Sequence, residues 1–411
     1  MISSINCLSL VITLVATSMF SSLAPPSLDP IIRLMRAYAQ DPRPDKIDLG
    51  VGVYRDSEGK TPIMAAVKAA ESELIKEQTS KEYTVLNGNA GFLAGIQDLL
   101  LGSAFADAPI ASMQTAAGSG ALRTLFELCK ALVPDARLWL SLPTWAAHRS
   151  FANFIGLRRK SYRYFDPATC EVDFQGVIED IGKVQAGDIV LLHGCCHNPT
   201  GADFTPAQWQ ELAESLAERG AVPLVDIAYQ GFGQGLAADA WGVRHLAQTV
   251  DEMMVAFSCS KNFGLYRDRV GAAFVLCKSH KDADVMTQQL MYYNRMSQGF
   301  PPDHGAAVVQ TILQTPSLRN QWEYELNDMR SQMVSVREQL AGALRQATNS
   351  GHFDFIVRHQ GMFSRLGLNQ DQVTALREQG IYMVPDSRIN VAGLIMPGRI
   401  DLFAKALASV L

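Results

Sequence analysis

The feature that most constrains the fold is a regular alternation of short apolar runs with amphipathic helical patterns, which begins near residue 110. Six of these runs predict strands, and they cover residues 137–142, 157–165, 188–193, 221–227, 253–258 and 271–277. The runs are short, β-branched and apolar on both faces, as are the strands of a parallel sheet that helices cover. The order of strand, helix and strand predicts an α/β fold with a mainly parallel sheet in its large domain.

One helix between two of these strands has recognisable ends. Thr205 suits the N-cap, Pro206 suits the first helical position, and Gly220 suits the stop. We therefore expect a helix that crosses from one strand to the next.

The chain changes character towards its C-terminal end. Residues 317–348 show a long polar helical pattern, and short segments follow it. We interpret them as a smaller α+β domain that N-terminal residues complete. The predicted division is an N-terminal arm with part of the small domain over 19–61, a large domain over 62–325, and a small domain over 326–411.

The first residues carry an apolar run at 8–20 that resembles the core of a signal peptide. No Lys or Arg precedes it, and it is too short to span a bilayer. We expect residues 1–18 to be an upstream extension or a flexible tail.

Composition excludes several function classes. Lys plus Arg number 36 against 41 for Asp plus Glu, and this net charge of −5 is scattered along the chain, so nucleic acid is not an expected partner. We expect no membrane partner either. Seven cysteines, two of them adjacent, do not resemble a disulfide framework, which favours a reduced, cytoplasmic protein.

The string SCSKNFGLYRDRVG at 258–271 is the strongest indication of chemistry. Lys261 follows a buried strand, where loss of solvation lowers the pKa of an amine and makes it a nucleophile towards an aldehyde. Ser258 and Arg269 supply hydroxyl and guanidinium groups that suit a phosphate. The alternative is a solvated lysine at a strand end, which the whole string disfavours.

Three further motifs are weaker indications of function when each is considered alone. Gly118 and Ser119 open a helical run, and a helix start favours an anion. Asn198 lies in a turn after a strand, where the sites of α/β proteins lie. Asp226 ends an apolar run with Tyr229 three residues on, and a buried carboxylate needs a partner. Each motif also has a purely structural explanation, as a turn, an N-cap or a structural carboxylate.

The segment HGCCHNPTG invites a zinc interpretation through His193, Cys195, Cys196 and His197. Paired zinc ligands are usually separated by at least two residues, and no second ligand pair lies elsewhere. We predict that the chain holds no metal, and zinc remains a remote alternative.

Two more residues complete the set. Trp145 follows a strand and could stack on a flat ring, and Arg388 lies in an apolar setting that calls for an anion such as a carboxylate. A phosphate cradle, an imine-forming lysine, a carboxylate and a flat aromatic together match pyridoxal 5′-phosphate.

The motifs LGVGVYRDSEGKTP, AGSGALR, CCHNPTG, DIAYQGF, SKNFGLYRDRVG, GMFS and SRINVAG occur in this order from about Asp29 to the C-terminus. In this set and order the chain resembles the aspartate and aromatic-amino-acid aminotransferases of class I, which have the fold type I of the pyridoxal-phosphate-dependent transferases.

The resemblance implies roles for the cofactor residues. Lys261 would hold the cofactor as an aldimine and then carry the proton, and Asp226, supported by His148, would face the pyridine nitrogen. Tyr229 and Asn198 would bond to the ring oxygen, and Trp145 would stack on the ring. The phosphate would be bound by Gly118, Ser119, Ser258 and Arg269, with Tyr83 joining from a neighbouring subunit.

The resemblance also implies how substrate binds. Arg388 would take the α-carboxylate with help from Asn198, Trp145 and Gly52. Arg295 would take the distal carboxylate from across a homodimer with composite sites, although a surface arginine in a loop is the alternative.

The implied activity is transfer of an amino group between L-aspartate, with aromatic L-amino acids as further donors, and 2-oxoglutarate. Val53, Arg55 and Thr61 resemble the aspartate-preferring form and Ser119 the aromatic-preferring form, while Phe300 departs from both. An aromatic-preferring enzyme is therefore the first alternative. A related enzyme that decarboxylates or eliminates, and a non-catalytic binding protein on the same fold, are the others.

Overall fold

The structure is a computed structural model that describes residue 23 and residues 30–411. The helices of this part are α1 (Pro30–Gln40), α2 (Ala65–Glu77), α3 (Ala90–Leu101), α4 (Ala117–Leu132), α5 (Ala146–Ile155), α6 (Phe174–Ile181), α7 (Pro206–Glu218), α8 (Leu236–Asp239), α9 (Trp241–Thr249), α10 (His280–Gln298), α11 (Asp303–Gln314), α12 (Pro316–Thr348), α13 (Gln370–Glu378) and α14 (Arg399–Ala408). The expectation for residues 1–18 lies outside the described residues.

The strands of the same part are short. They are β1 (Ile47–Asp48), β2 (Ile110–Ala116), β3 (Arg137–Leu142), β4 (Arg158–Arg163), β5 (Phe165–Asp166), β6 (Glu171–Val172), β7 (Ile189–His193), β8 (Val222–Ile227), β9 (Met253–Ser258), β10 (Val270–Leu276), β11 (Phe363–Arg365), β12 (Ile381–Tyr382) and β13 (Arg388–Asn390).

A seven-stranded sheet forms the centre of the fold, in the order β2-β10-β9-β8-β7-β3-β4. The pairs from β9 to β4 are all parallel, which confirms the mainly parallel α/β sheet. All six predicted strands occur, with their ends within two residues of the expected positions. The helix expected after Thr205 is α7, whose N-cap Thr205 forms a capping box with Gln208.

β10 is a strand that makes the sheet mainly rather than wholly parallel. This strand pairs antiparallel with both β9 and β2. The connection from β9 to β10 spans residues 259–269, which is shorter than the crossover of about a dozen or more residues that a parallel neighbour needs. The chain therefore reverses direction, and the loop that carries Lys261 stays at the end of β9.

Two further strands differ from what the sequence predicts: β2 is not expected, and β4 is not covered on both faces. β2 alternates apolar residues with Ser112 and Gln114, so it lacks a continuous apolar run, yet all seven of its residues pair with β10. β4 reads RRKSYR and is exposed except at Tyr162, because it is the edge of the sheet and not a strand covered on both faces.

Side chains from alternate positions of the central strands enter two apolar cores, one on each face of the sheet. Ile189 and Leu191 of β7 pack with α4, and Val190 and Leu192 belong to the other, larger core. Helices on both faces therefore hold the strands in register, and their carboxyl ends remain open at one edge.

The N-terminal and C-terminal parts of the chain meet in small sheets. β1 pairs parallel with β12, and β11 pairs antiparallel with β13. This pairing links residues 47–48 to the C-terminal segments, as expected if the N-terminal residues complete the small domain. The boundaries at 61/62 and 325/326 stay predictions.

In the part of the chain that the structure describes, no helix is both long and apolar enough to cross a membrane. The six cysteines of the same part are buried and free.

Candidate active site

A cavity of about 270 Å³ lies at the carboxyl ends of β7, β8 and β9, where the loops after the strands leave room for a ligand. The structure brings together eleven of the residues that the sequence analysis selected, namely Gly52, Gly118, Ser119, Trp145, Asn198, Asp226, Tyr229, Ser258, Lys261, Arg269 and Arg388. These residues come from parts of the chain more than 300 positions apart.

Lys261 lies in the loop after β9, with its Nζ 4.7 Å from the centre of the Tyr229 ring. Burial lowers the pKa of Lys261 to about 8, and the positive charge of Arg269 acts in the same direction while Asp226 opposes it. About a tenth of this lysine is therefore an uncharged amine at pH 7 and about half at pH 8, and this is the form that attacks an aldehyde.

Asp226 is buried near the end of β8 and faces His148. The His148 Nε2 lies 2.9 Å from Asp226 Oδ2, and Thr144 Oγ1 lies 2.8 Å from His148 Nδ1 and 3.2 Å from His193 Nε2. Because an ionised carboxylate only accepts hydrogen bonds, Nε2 of His148 donates to it. The Thr144 hydroxyl lies within hydrogen-bonding distance of the other ring nitrogen, Nδ1.

The charge of Asp226 is set by opposing effects. Burial raises the pKa of Asp226, but the hydrogen bond and the electrostatic effect of His148, with a smaller contribution from Lys261, outweigh it, and the net pKa lies below the ordinary value. Burial lowers the pKa of His193 to about 3, so that this ring is neutral. The cavity thus holds one anionic carboxylate at its innermost wall.

One end of the cavity is built to hold an anion. Gly118 and Ser119 lie in the first turn of α4, whose amino end carries partial positive charge. A Cβ atom on Gly118 would lie 3.0 Å from the Cβ of Ser258, so glycine is what allows the helix start to approach this serine. Arg269 is joined to the same turn, because its carbonyl oxygen accepts the N–H of Ala117 at 3.0 Å.

The cavity lining also includes Arg388, the first residue of β13, which is 5% exposed. Its guanidinium donates to Asn198 Oδ1 at 3.1 Å and to the carbonyl oxygen of Gly50 at 2.7 Å, and it lies 4.4 Å from the centre of the Phe363 ring. These two hydrogen bonds orient the guanidinium, which lines a cavity that a carboxylate could enter.

Trp145 is the N-cap residue of α5 and lies edge-on to His148, with ring centres 5.3 Å apart. Tyr229 is also buried, and burial raises the pKa of its hydroxyl well above the ordinary range. Both rings line the same cavity as Gly118 and Arg388.

Several residues of the cavity are not predicted from the sequence. Ile31, Tyr266 and Phe363 line it, and the Tyr266 hydroxyl accepts the backbone N–H of Tyr54 at 3.0 Å. Tyr266 and Phe363 belong to motifs already quoted, SKNFGLYRDRVG and GMFS, so their neighbourhood was indicated. The direction of their side chains could not be read from the motifs.

Tyr83 and Arg295 are not among the residues that line this cavity. Both are exposed, and both contact Phe300: the rings of Tyr83 and Phe300 are stacked at 4.8 Å, and the Arg295 guanidinium carbon lies 5.0 Å from the Phe300 ring centre. We refer to Tyr83, Arg295 and Phe300 as the surface triad.

A different set of residues gathers where the sequence invited a zinc interpretation. Among residues 30–411, Cys195, Cys196 and Asp239 bring possible ligand atoms within 4.8 Å of one another, without the two histidines. Asp239 already accepts three backbone N–H groups, and burial raises the pKa of the Cys196 thiol to about 12. These contacts explain the cluster as part of the protein interior, and the absence of a metal stays a prediction.

Comparison with known proteins agrees with this geometry. Residues 44–403 match the family model described as aminotransferase class I and II. The chain is 47% identical over 393 residues to an aromatic-amino-acid aminotransferase of Paracoccus denitrificans, covering 95% of this chain and all of the relative. It is 41% identical over 397 residues to the aspartate aminotransferase of Escherichia coli, covering 96% of this chain and all of the relative.

Among solved structures, an aromatic-amino-acid aminotransferase from Burkholderia pseudomallei covalently bound to pyridoxal phosphate superimposes with a TM-score of 0.93. It is 38% identical and covers 96% of this chain and all of its own. Because the family model covers most of the chain and these relatives match it over nearly its whole length, the chain belongs to the class I and II aminotransferases.

Proposed function

We propose that this aminotransferase uses pyridoxal 5′-phosphate to exchange an amino group between L-aspartate and 2-oxoglutarate, with aromatic L-amino acids as additional donors. The observation that carries the proposal is one cavity that holds a lysine with a pKa lowered to about 8, an anionic carboxylate and an anion-binding helix start. The names of its relatives, which include both substrate classes, support the breadth of the proposed specificity.

The residues present fit this cofactor at each of its polar groups. The first turn of α4, with Gly118 and Ser119, would hold the phosphate together with Ser258 and Arg269, since helix amides, hydroxyls and a guanidinium are phosphate donors. Lys261 would bind the aldehyde. Asp226 would hold a proton on the ring nitrogen, with Asn198 and Tyr229 at the ring oxygen and Trp145 against the ring face.

When bound, the cofactor supplies an aldehyde that takes up the amino group and a ring that spreads the negative charge left at the substrate Cα. The protein then moves the proton. Lys261 Nζ would accept the proton that the amino acid loses from Cα and deliver it to the carbon of the cofactor that bears the amino group. A pKa of about 8 suits this role, because a general base works best when its pKa lies near the working pH.

Asp226 acts at a distance from Cα. As an anion it stabilises a positive charge on the ring nitrogen, and His148 keeps the carboxylate in place through the 2.9 Å hydrogen bond. Thr144 in turn orients His148, so we assign His148 and Thr144 as positioning residues.

Substrate would be oriented by Arg388, whose guanidinium offers a planar fork to the α-carboxylate. Asn198, Trp145 and the backbone at Gly52 would complete this end of the cavity. A distal carboxylate would be bound by Arg295, and the preference between aspartate and aromatic donors would depend on that residue.

We further propose a homodimer in which Tyr83 and Arg295 of one subunit complete the cavity of the other. Support comes from their exposed position outside the cavity of their own chain. The test is to mix Lys261→Ala and Arg295→Ala subunits under conditions that exchange them. If Arg295 acts across the dimer, aspartate activity recovers to about a quarter of the wild-type level, because half of the dimers are hybrids with one intact site. No recovery would show that Arg295 acts within its own chain.

A reducing, cytoplasmic location is also proposed. The six free, buried cysteines of the described part support it, since stable disulfides are typical of oxidising compartments. Cell fractionation tests this, and recovery of the protein from a secreted or periplasmic fraction would contradict it.

The experiment that tests the main proposal is the absorption spectrum of the purified holoenzyme before and after L-aspartate or L-phenylalanine is added. A pH-sensitive visible band that amino acid converts to the amine form of the cofactor is expected, and the two conversion rates rank the substrates. Faster conversion by phenylalanine would favour the aromatic-preferring alternative. No such band after addition of pyridoxal phosphate would favour a non-catalytic binding protein.

A further inference from the structure

The Phe300 ring joins two residues that lie far apart in the sequence. Tyr83, in the segment between α2 and α3, stacks on it with ring centres 4.8 Å apart and planes 22° apart. Arg295, in the last turn of α10, places its guanidinium carbon 5.0 Å from the centre of the same ring. One aromatic side chain therefore contacts both residues that the proposed function assigns to the neighbouring subunit's site.

These contacts matter because little else supports the two side chains. Among residues 30–411, Arg295 and Tyr83 have no side-chain hydrogen bond and no ion pair, and Tyr83 is 85% exposed. A long side chain without contacts samples many rotamers and must be ordered when it binds a ligand, which weakens binding. The ring of Phe300 is the feature that restricts both.

The chemistry of the contact suits a carboxylate receptor. A guanidinium that stacks on an aromatic ring uses its flat face and keeps the N–H donors at its edge available. A polar residue at position 300 would instead accept one or more of those N–H groups and compete with the substrate. Phe300 is thus able to orient Arg295 without occupying the donors that a carboxylate needs.

We propose that Phe300 is a positioning residue that selects for dicarboxylate substrates, by holding Arg295 and Tyr83 in the arrangement in which they enter the neighbouring site. This inference rests on the proposed function. It adds a determinant of selectivity at a position where the sequence departs from both forms of the family. Aromatic donors lack the distal carboxylate, so their turnover depends less on Phe300.

The test compares Phe300→Ala with Phe300→Tyr, which keeps the ring, in the holoenzyme. The kcat/KM for L-aspartate divided by that for L-phenylalanine should fall about 3- to 10-fold in Phe300→Ala, the order expected for loss of a partly exposed cation–π contact and an aromatic pair. The fall in kcat/KM for aspartate should appear as a higher KM. Phe300→Tyr should restore the ratio to within about twofold.

A binding readout separates orientation from a general loss of structure. Calorimetric titration of the holoenzyme with succinate, which has two carboxylates, should show weaker binding in Phe300→Ala, whereas 3-phenylpropanoate binding should change little. In an Arg295→Ala background the further change Phe300→Ala should leave the substrate ratio unaltered, because the group it orients is gone.

Three results would overturn the inference: equal losses for both substrates, a rise in relative aspartate use, or an undiminished Phe300→Ala effect without Arg295. Failure of the proposed function looks different, because then wild type does not use aspartate or Arg295→Ala leaves the ratio unchanged. If Arg295→Ala lowers the ratio and Phe300→Ala does not, only the inference about Phe300 fails.

Discussion

The inner wall of the cavity and the surface triad are built in different ways. The inner wall, formed by Lys261, Asp226, Ser258 and Gly118, lies at strand ends and a helix start whose backbone the sheet holds in register. The surface triad lies on the last turn of α10 and on two connecting segments, with Tyr83 85% exposed against 9% for Asp226.

This difference indicates which region of the molecule determines catalysis and which determines substrate choice. A single chain already assembles the groups proposed for cofactor binding and proton transfer, because core packing holds them together. The groups proposed for selectivity are left at the surface, where a second subunit has to complete them. Substitutions in the inner wall should therefore stop turnover, and substitutions in the triad should change the choice of substrate.

The largest effect is expected from Lys261→Ala. Removing the amine that carries the proton should reduce transamination by about 10⁴-fold, at the upper end for a general acid–base group, while the phosphate-binding residues still retain the cofactor. Coupled turnover of aspartate with 2-oxoglutarate measures the loss of transamination, and the absorbance of bound cofactor measures its retention. Lys278→Ala, a lysine paired with Asp251 at the surface, is the control that should retain full activity. Normal turnover in Lys261→Ala would contradict the assignment of catalysis to the inner wall.

The next largest effect is expected from Arg388→Lys, at a residue of the same cavity outside the inner wall. A lysine keeps the charge but loses the bidentate fork, and we expect kcat/KM to fall about 100-fold for every amino acid, since all carry an α-carboxylate. Steady-state kinetics with aspartate and phenylalanine provide the measurement. Arg365→Lys is the matched control, because Arg365 is the direct strand partner of Arg388 and does not line the cavity. A loss confined to aspartate would reassign Arg388 to the distal carboxylate.

A smaller and selective effect is expected in the triad, from Arg295→Ala. The kcat/KM for aspartate should fall about 30-fold or more relative to that for phenylalanine, because truncating one partner of a buried charge pair costs ~2 kcal/mol or more. The same kinetic assay gives the ratio, and Arg319→Ala serves as an exposed-arginine control. Parallel losses for both substrates would mean that the triad and the inner wall do not differ in the proposed way.

The smallest effect concerns the pH dependence of the inner wall. Because the pKa of Lys261 is lowered to about 8, its reactive neutral form increases as pH rises through 8 and is nearly complete above it. The rate at which cofactor-free protein captures pyridoxal phosphate should rise about fivefold from pH 7 to pH 8 and less than twofold beyond it. Stopped-flow absorbance follows the rate. A tenfold rise per unit that continues to pH 10 would show that the lysine is an ordinary solvated amine.

Much of the fold and of the candidate site could be predicted from the sequence. Buried strands such as β8 and β9 were recognised because continuous apolar runs predict strands covered on both faces. β2 was missed because its apolar residues alternate with polar ones, although it directly precedes the helix start that binds anions. The antiparallel direction of β10 depends on the length of the loop before it, which the strand pattern does not report.

Individual site residues also divide into those that the sequence predicts and those that it does not. Lys261, Asp226 and Arg388 stand in motifs whose chemistry is evident, so they were found. Phe363 and Tyr266 were missed because an aromatic residue in a motif has no recognisable role until its side-chain direction is known. His148 on α5 contacts both Thr144, in the loop before α5, and Asp226 on β8 through hydrogen bonds. No local sequence pattern shows that these three residues lie together.

The sequence by itself determined the α/β architecture, the family and the identity of the reactive groups, because periodicity, caps and motifs are local properties of the chain. The tertiary structure alone decided the environment of those groups: the burial that lowers the pKa of Lys261, the His148 contact that keeps Asp226 charged, and the Phe300 ring shared by Tyr83 and Arg295. Desolvation and contacts between distant residues depend on how the whole chain packs, and they are what give an amine, a carboxylate and a guanidinium their separate tasks.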